Sequence, residues 1–392
     1  MILSKMPSPI ALRSKYAATR PSVLKQGPVF GFGYRAPWIL GNIIQARVAR
    51  RYRLNVMLAQ QSAREIERTQ RSFQEVVDSA TLSAHAAGLA LPWGADGDHL
   101  KTDADIRAAV KAGCTHFTYD VSHELAQGVG AVVAKVVAMV RLTRRLKRQA
   151  AFTTEISLDE TEHTMSLEDV MRLLQALKRK RVSVTEIAPR FPGYFEKAID
   201  YYIRMEHGRR VHDTTEFERY LSALAEITRA FRVRICVHSG SDKFSIYPII
   251  AKILKNEFHL KTAGTYYLEE LKIIARHDTT LFREIFRFSL AQFQKDRASY
   301  ELSADLAQLP DIEALDGPAL GALLQSGTGN DHLRQVLHVT YGSVLTACGT
   351  GDKPLFAEAM QRVLQEHEKE YAQEMEHHLL RHISPFISVK NR

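Results

Sequence analysis

The chain of 392 residues is 45% hydrophobic and 25% charged, which suits a soluble globular protein with a sizeable core. A net charge of +9 raises the question of a nucleic-acid partner, but the basic runs 141–149 and 177–181 close apolar-periodic segments, where cations complement the helix dipole and stay solvated. Three well-separated cysteines (Cys114, Cys236, Cys348) exclude a disulfide framework and a zinc ribbon, and no apolar run approaches the ~20 residues that span a bilayer.

The first 28 residues start basic and acid-free without the apolar run of a secretion signal, so they read as an N-terminal extension of a cytoplasmic protein. Strands are predicted at 29–35 (VFGFGYR), 89–94, 114–121, 151–159, 182–189, 232–238 and 258–262, with two late ones at 299–305 (SYELSAD) and 336–345 (VLHVTYGSVL). Between them lie helices. The one at 102–113 opens on a Thr102-x-x-Asp105 capping box and stops on Gly113. Another follows at 124–146, and 166–180 carries Ser166 as N-cap with Val170, Leu173, Leu174 and Leu177 on one face. Further helices are expected at 195–205 (FEKAIDYYIRM), at 217–231, from Pro248 and from Tyr266.

Eight or nine strands alternating with helices, with no linker or repeat, imply a parallel sheet. So many units, and GFGYRAP in place of a GxGxxG turn, favour a closed (β/α)8 TIM-like barrel over an open doubly wound sheet. The expected organisation is a single barrel domain over 29–350, flanked by the extension 1–28 and a C-terminal helix within 351–392.

In a barrel, alternate strand residues face the helices and the interior, and chemistry sits at the C-terminal strand ends. Val233, Ile235 and Val237 form a helix-facing row, so Arg234, Cys236 and His238 face in. By the same rule Glu155, Ser157 and Asp159 face in, as do His259 and Lys261, and His338 and Thr340. Glu160 begins the loop above. Imidazoles and carboxylates from four strands in one interior point to a divalent metal; Zn, Mn, Ni or Co tolerate such a set. Lys243, Lys261 and Arg190 are placed to hold an anionic substrate, which the positive charge would also favour. Asp96, Asp98 and His99 follow the 89–94 strand and read as a metal-capable or simply capped Gly-rich turn. His367, His377, His378 and His382 lie on a densely charged helix and read as a solvated face.

Several segments together resemble the bacterial tagaturonate epimerase family: AQQSAREIERTQR (59–71), WGADGDHLKT (93–102), EISLDETE, APRFPGYFEKAIDY, HSGSDKFSIYPII, HLKTAGTYYLEEL, DRASYELSAD and LHVTYGSVL, in family order from about residue 55 to 345. The resemblance implies a metal-dependent TIM-barrel enzyme that interconverts tagaturonate and fructuronate. It places the family's acidic and histidine positions on Asp159, Glu160, Asp242, His238 and His259. The expected roles are proton transfer by Asp159 and Asp242, metal binding by Glu160, His238, His259 and His338, and substrate binding by Arg190, Lys243, Lys261 and Thr262. A retro-aldol route is expected, because the carbon that differs between the two sugars lies β to the ketone and its C–H is not acidified. The partner is a small anionic sugar acid, with neither nucleic acid nor membrane. GFGYR departs from the family's GFGDR at Tyr34. That departure motivates one alternative, a non-catalytic sugar-acid-binding homologue; within enzymes the alternatives are a metal-dependent ketose isomerase or a class II aldolase on a related ketose.

Overall fold

The computed structural model describes residues 6–387; the ends of the expected extension and C-terminal helix, 1–5 and 388–392, lie outside the described residues. Eight parallel strands close into a barrel: β1 (Val29–Gly31), β2 (Asn55–Ser62), β3 (Trp93–Leu100), β4 (His116–Asp120), β5 (Thr153–Leu158), β6 (Glu186–Pro189), β7 (Arg234–Val237) and β8 (Phe258–Lys261). They neighbour one another in chain order, and β1 pairs with β8 through Val29–His259 and Gly31–Lys261 to complete the ring. At least one helix follows each strand, and the outward rows of the strands pack under those helices in one continuous apolar core. Among the described residues no helix is long and apolar enough to cross a membrane.

Local chemistry accounts for the helices that were legible. Thr102 and Asp105 form a reciprocal capping box, and Gly113 ends that helix at φ 91°, a conformation glycine adopts at no steric cost. Ser166 caps Leu167–Arg179, whose buried face is Val170, Leu173, Leu174 and Leu177.

Five expectations are corrected. The strand β2 went unpredicted because its second half, Ala-Gln-Gln-Ser, is polar and its register against β3 slips between Met57 and Ala59. The strand expected at 89–94 starts later and runs through Trp93–Leu100, so Asp96 and Asp98 are strand residues rather than a turn. Residues 336–345 are helical, within Asp331–Val339 and Tyr341–Thr346. Their buried Leu333, Val336, Leu337, Tyr341, Val344 and Leu345 repeat at three and four, and Asn330 caps the first helix through Leu333 N. Residues 299–305 form no strand; Glu301 and Ser303 bond to Arg190 and Glu196 instead. Residues 195–203 are not helical either. Glu196 accepts from Tyr202 and Ser303, and Asp200 from Ser245, so these side chains serve tertiary partners, and a small antiparallel ribbon follows at 204–211.

The helix Glu368–Ile383 lies on the barrel against Leu40–Tyr52 and Tyr266–His277. One of its ties is Tyr371, whose hydroxyl is 3.2 Å from Glu270 Oε1, an oxygen that also accepts from Trp38 (3.2 Å) and Tyr34. Burial pushes the Glu270 carboxyl up to about 8, against the lowering effect of these donors. The folded protein therefore keeps a proton that the unfolded chain releases near pH 4.3. Stability from this group is full below that pH and declines as pH rises to about 8. Thermal midpoints measured from pH 5 to 9 are expected to fall more steeply for the parent than for Glu270→Gln, which keeps an acceptor but cannot ionise; parallel profiles would refute this.

Candidate functional site

The C-terminal strand ends open into a cavity of about 840 Å³. At its edge, His99, Asp159 and His238 bring three ligand-type atoms within 4.8 Å of one another. Asp159 Oδ1 is 3.1 Å from His238 Nδ1 and 3.5 Å from His99 Nε2. Simple alternation would send consecutive residues of β3 to opposite faces. The β3–β4 register shifts between Gly97 and Leu100, however, and His99 takes a left-handed φ of 53°, so Asp98 and His99 both line the cavity.

Each imidazole is held from behind by a carboxylate. Asp98 Oδ1 lies 2.9 Å from His99 Nδ1, and Glu155 Oε1 lies 2.5 Å from His238 Nε2. That leaves His99 Nε2 and His238 Nδ1 facing Asp159, and the buried His238 Nδ1 has no partner in hydrogen-bond geometry among the described residues. Carboxylates that fix the far nitrogen of an imidazole are the usual support of a metal-ligating histidine. Burial opposes charge on both rings, but Asp98 raises His99 well above the ordinary histidine range and Asp159 raises His238 to about 9. A potential that favours imidazolium also favours a cation. Two nitrogens and one oxygen, supported in this way and open to a cavity, fit a divalent metal.

A second quartet lies beneath, in the barrel floor: His116, Glu155, Glu186 and His259, all fully buried. Glu186 is bound by Arg234 and by His259 Nδ1 (2.8 Å), and Glu155 by Lys261 (3.1 Å). None of the four lines the cavity.

The other expected site residues divide between cavity and interior. Glu160 lines the cavity, where Arg64 and Lys101 each approach its carboxylate to 2.9 Å. Burial opposes its ionisation, but His99 and Arg64 outweigh it and hold the carboxyl at about 2. His338 reaches the cavity from a helix rather than a strand end; burial and the nearby Arg35 and Lys197 hold its ring neutral, and Nδ1 has no partner among the described residues. Arg190 lies at the rim, donating to Thr161 O and Glu301. Lys261 is buried among Asp96, Asp98 and Glu155 at 2.7–3.1 Å. Lys243 donates to three carbonyls, those of Glu196, Ile199 and Ser241. Thr262 bonds to Tyr266 and to Gly31 O below the mouth. His259 belongs to the floor quartet.

Asp242 is the largest displacement. It is buried outside the cavity, paired with Arg334 (2.5 Å) and His382 (3.2 Å), with His378 at 3.7 Å. His378 and His382 are therefore buried clasps and not a solvated face. Gly240 does not line the cavity; a Cβ there would meet Leu260 and the Lys261 carbonyl across β8. Tyr34 is also outside the cavity, on Glu270.

Sequence reasoning weighed His99 only as part of a turn, and it passed over Asp98 as a support, Arg35, Arg64 and Lys197. The Asp96–Asp98 alternation was the available signal for β3. Arg35, which follows β1 and pairs with Glu65 of the Ser62–Glu65 capping box, had none.

Comparison with known proteins identifies the family. The family described as tagaturonate epimerase (UxaE) matches residues 7–138 and 130–386. The tagaturonate/fructuronate epimerase of Thermotoga maritima is 33% identical over 376 residues, covering 83% of this chain and 74% of its own. Two crystal structures of the fructuronate-tagaturonate epimerase UxaE from Cohnella laeviribosi also align. The native form gives a TM-score of 0.82 at 28% identity, over 96% of this chain and 85% of that one. The form with two glycerols gives 0.84 at 27%, over 97% and 86%. With a family match across nearly its whole length and a barrel that superposes on solved members, the chain belongs to the tagaturonate epimerase family.

Proposed function

We propose that the protein interconverts D-tagaturonate and D-fructuronate through retro-aldol cleavage and re-addition, using a divalent metal at His99, Asp159 and His238. The observation that carries this reading is the pair of imidazoles, each anchored by a carboxylate and turned with its free nitrogen toward Asp159 at the cavity edge. When bound there, a divalent cation supplies Lewis-acid stabilisation of the negative charge that develops on the ketone oxygen.

The remaining work falls to the chain. Asp159 becomes a ligand-type residue on this reading, and proton transfer passes to Glu160 and His338, which line the same cavity from separate elements. The ionised Glu160 takes the proton of the hydroxyl β to the ketone as the carbon–carbon bond breaks. The aldehyde fragment turns over within the cavity, re-addition creates the opposite configuration, and the proton that Glu160 took returns to the new alkoxide, with the neutral His338 ring as the relay that takes it up and gives it on. Glu160 is thereby ionised again and the site is reset for either direction. The Tyr34 hydroxyl is bonded to Glu270 outside the cavity, so the departure from the family pattern gives no support to a non-catalytic homologue.

Elemental analysis of the purified protein, with NMR of tagaturonate incubated with it, tests the reading. The expected result is about one divalent ion per chain and an equilibrating mixture of the two sugars, abolished by chelation. Accumulating cleavage products would indicate an aldolase, and no conversion would refute the proposal. Glu160→Gln is expected to lower kcat about 10²- to 10³-fold at unchanged metal content; lost metal would make Glu160 a ligand instead.

A further inference from the structure

The cavity is rich in cations, but nearly all are already neutralised. Arg35 pairs with Glu65, Arg64 with Glu160, Lys101 with Asp120 and Glu160, Arg190 with Glu301, and Lys261 with Asp96, Asp98 and Glu155. Lys243 has no carboxylate partner among the described residues but spends its three N–H bonds on carbonyls. Lys197 differs from all of these. It is half-buried, it lines the cavity, and its ammonium donates only to Ser239 Oγ, at 2.6 Å, among the described residues. No carboxylate lies within ion-pair distance of it among those residues, and two of its three N–H bonds are unclaimed.

Its placement is informative for a second reason. Ser239 follows His238 directly and is held at a left-handed φ of 49°, so the residue that accepts from Lys197 sits beside the candidate metal ligand. The flanking charges are mixed: Arg64 and Arg35 oppose the ammonium, Glu65 and Asp159 favour it from beyond ion-pair distance, and the Tyr300 ring centroid lies 5.9 Å from Nζ. An ammonium half withdrawn from water with no contacting carboxylate among the described residues is a ready partner for an incoming anion.

We infer that Lys197 is the anchor for the substrate's carboxylate, and so the residue that makes the site prefer a keto-sugar acid over the corresponding neutral ketose. The inference rests on the sugar-acid reading above and deepens it. A carboxylate there takes the two unclaimed N–H bonds, while the ketone end of the same short molecule lies toward His99, Asp159 and His238. The arrangement replaces the roles expected of Lys243 and Lys261, whose donors are saturated. It also explains why the segment 195–203 is an irregular loop: a helix there would commit its side chains to a regular face, whereas the loop turns Glu196 to Ser303 and Gln335, and Lys197 to the cavity.

The test compares the parent, Lys197→Met and Lys197→Arg as metal-loaded enzymes, each assayed on a ketohexuronate and on the neutral ketohexose of the same configuration. The ratio of kcat/KM for acid over neutral substrate is expected to fall about 10- to 100-fold in Lys197→Met, the worth of a charge-assisted hydrogen bond. The loss should lie chiefly in KM, and Lys197→Arg should recover most of it. Equal losses on both substrates, or none on either, would overturn the assignment. Titration calorimetry with a non-reacting hexonate and its neutral polyol separates this from the catalytic reading. If the parent binds hexonate and Lys197→Met does not, the anchor stands even where no epimerisation is seen. If both bind it equally, the anchor fails even where epimerisation is seen.

Discussion

Exchanging His238 for alanine is expected to empty the metal site and to lower kcat/KM on a ketohexuronate by about 10³- to 10⁵-fold. The size follows from what is lost. Lewis-acid stabilisation of developing charge is worth several kcal/mol, and each ~1.4 kcal/mol is tenfold in rate. A site reduced from three donors to two also binds its ion weakly. The substitution strips Glu155 Oε1 of one of its two cationic contacts, leaving Lys261, so some loss of stability accompanies it. Glu155→Gln provides the graded control: the ring remains but its far nitrogen is no longer held by a charge, and affinity for metal should fall about 10- to 100-fold. Elemental analysis and the visible spectrum of the cobalt-loaded protein report on the site without reference to turnover. Full metal content with parental activity in His238→Ala would move the centre elsewhere, and the floor quartet of His116, Glu155, Glu186 and His259 would be next to test.

Asp242→Ala should have its largest effect on stability. Asp242 and Arg334 are both fully buried, and among the described residues the guanidinium otherwise donates to the backbone carbonyls of Ala198 and Leu324. Removing one partner of such a pair leaves a buried charge uncompensated, at a cost of about 3–5 kcal/mol. The Asp242 carboxylate also faces His382 at 3.2 Å and His378 at 3.7 Å, so its loss also weakens the hold of Glu368–Ile383 on the barrel. The thermal midpoint is expected to drop by about 4–6 °C while the residual folded enzyme keeps its metal. Parental stability with abolished turnover would instead restore Asp242 to the chemistry, as the family resemblance had placed it.

These two residues also mark what the sequence could and could not say. His238 was legible because Val233, Ile235 and Val237 fix the facing of β7, and alternation then turns Arg234, Cys236 and His238 inward; all three are buried there. The same rule placed Glu155, His259 and Lys261 inside the barrel. What alternation cannot give is depth: His259 sits a layer below His238 because β8 and β7 are staggered, with His259 opposite Cys236. Nor can it give partners. Lys261 looked like a substrate cation until Asp96 and Asp98 came into reach from β3, a strand taken for a turn. His338 was assigned to a strand from a period of two, although Leu333, Val336, Leu337 and Tyr341 carry a period near 3.6. Asp242 sits four residues past His238, but the partners that withdraw it, Arg334, His378 and His382, are 92 or more residues away. No local pattern encodes that.

The length of chain between Asp242 and His382 has a consequence for synthesis. The two are 140 residues apart, which at about 5–20 residues per second separates their appearance by roughly 7 to 28 s. All eight strands precede that interval or fall at its start, since β8 ends at Lys261. A nascent chain can thus close its ring while the loop bearing His238 still lacks the helix that fastens it. The contact between His382 and the loop that follows His238 can form only once residue 382 has left the ribosome.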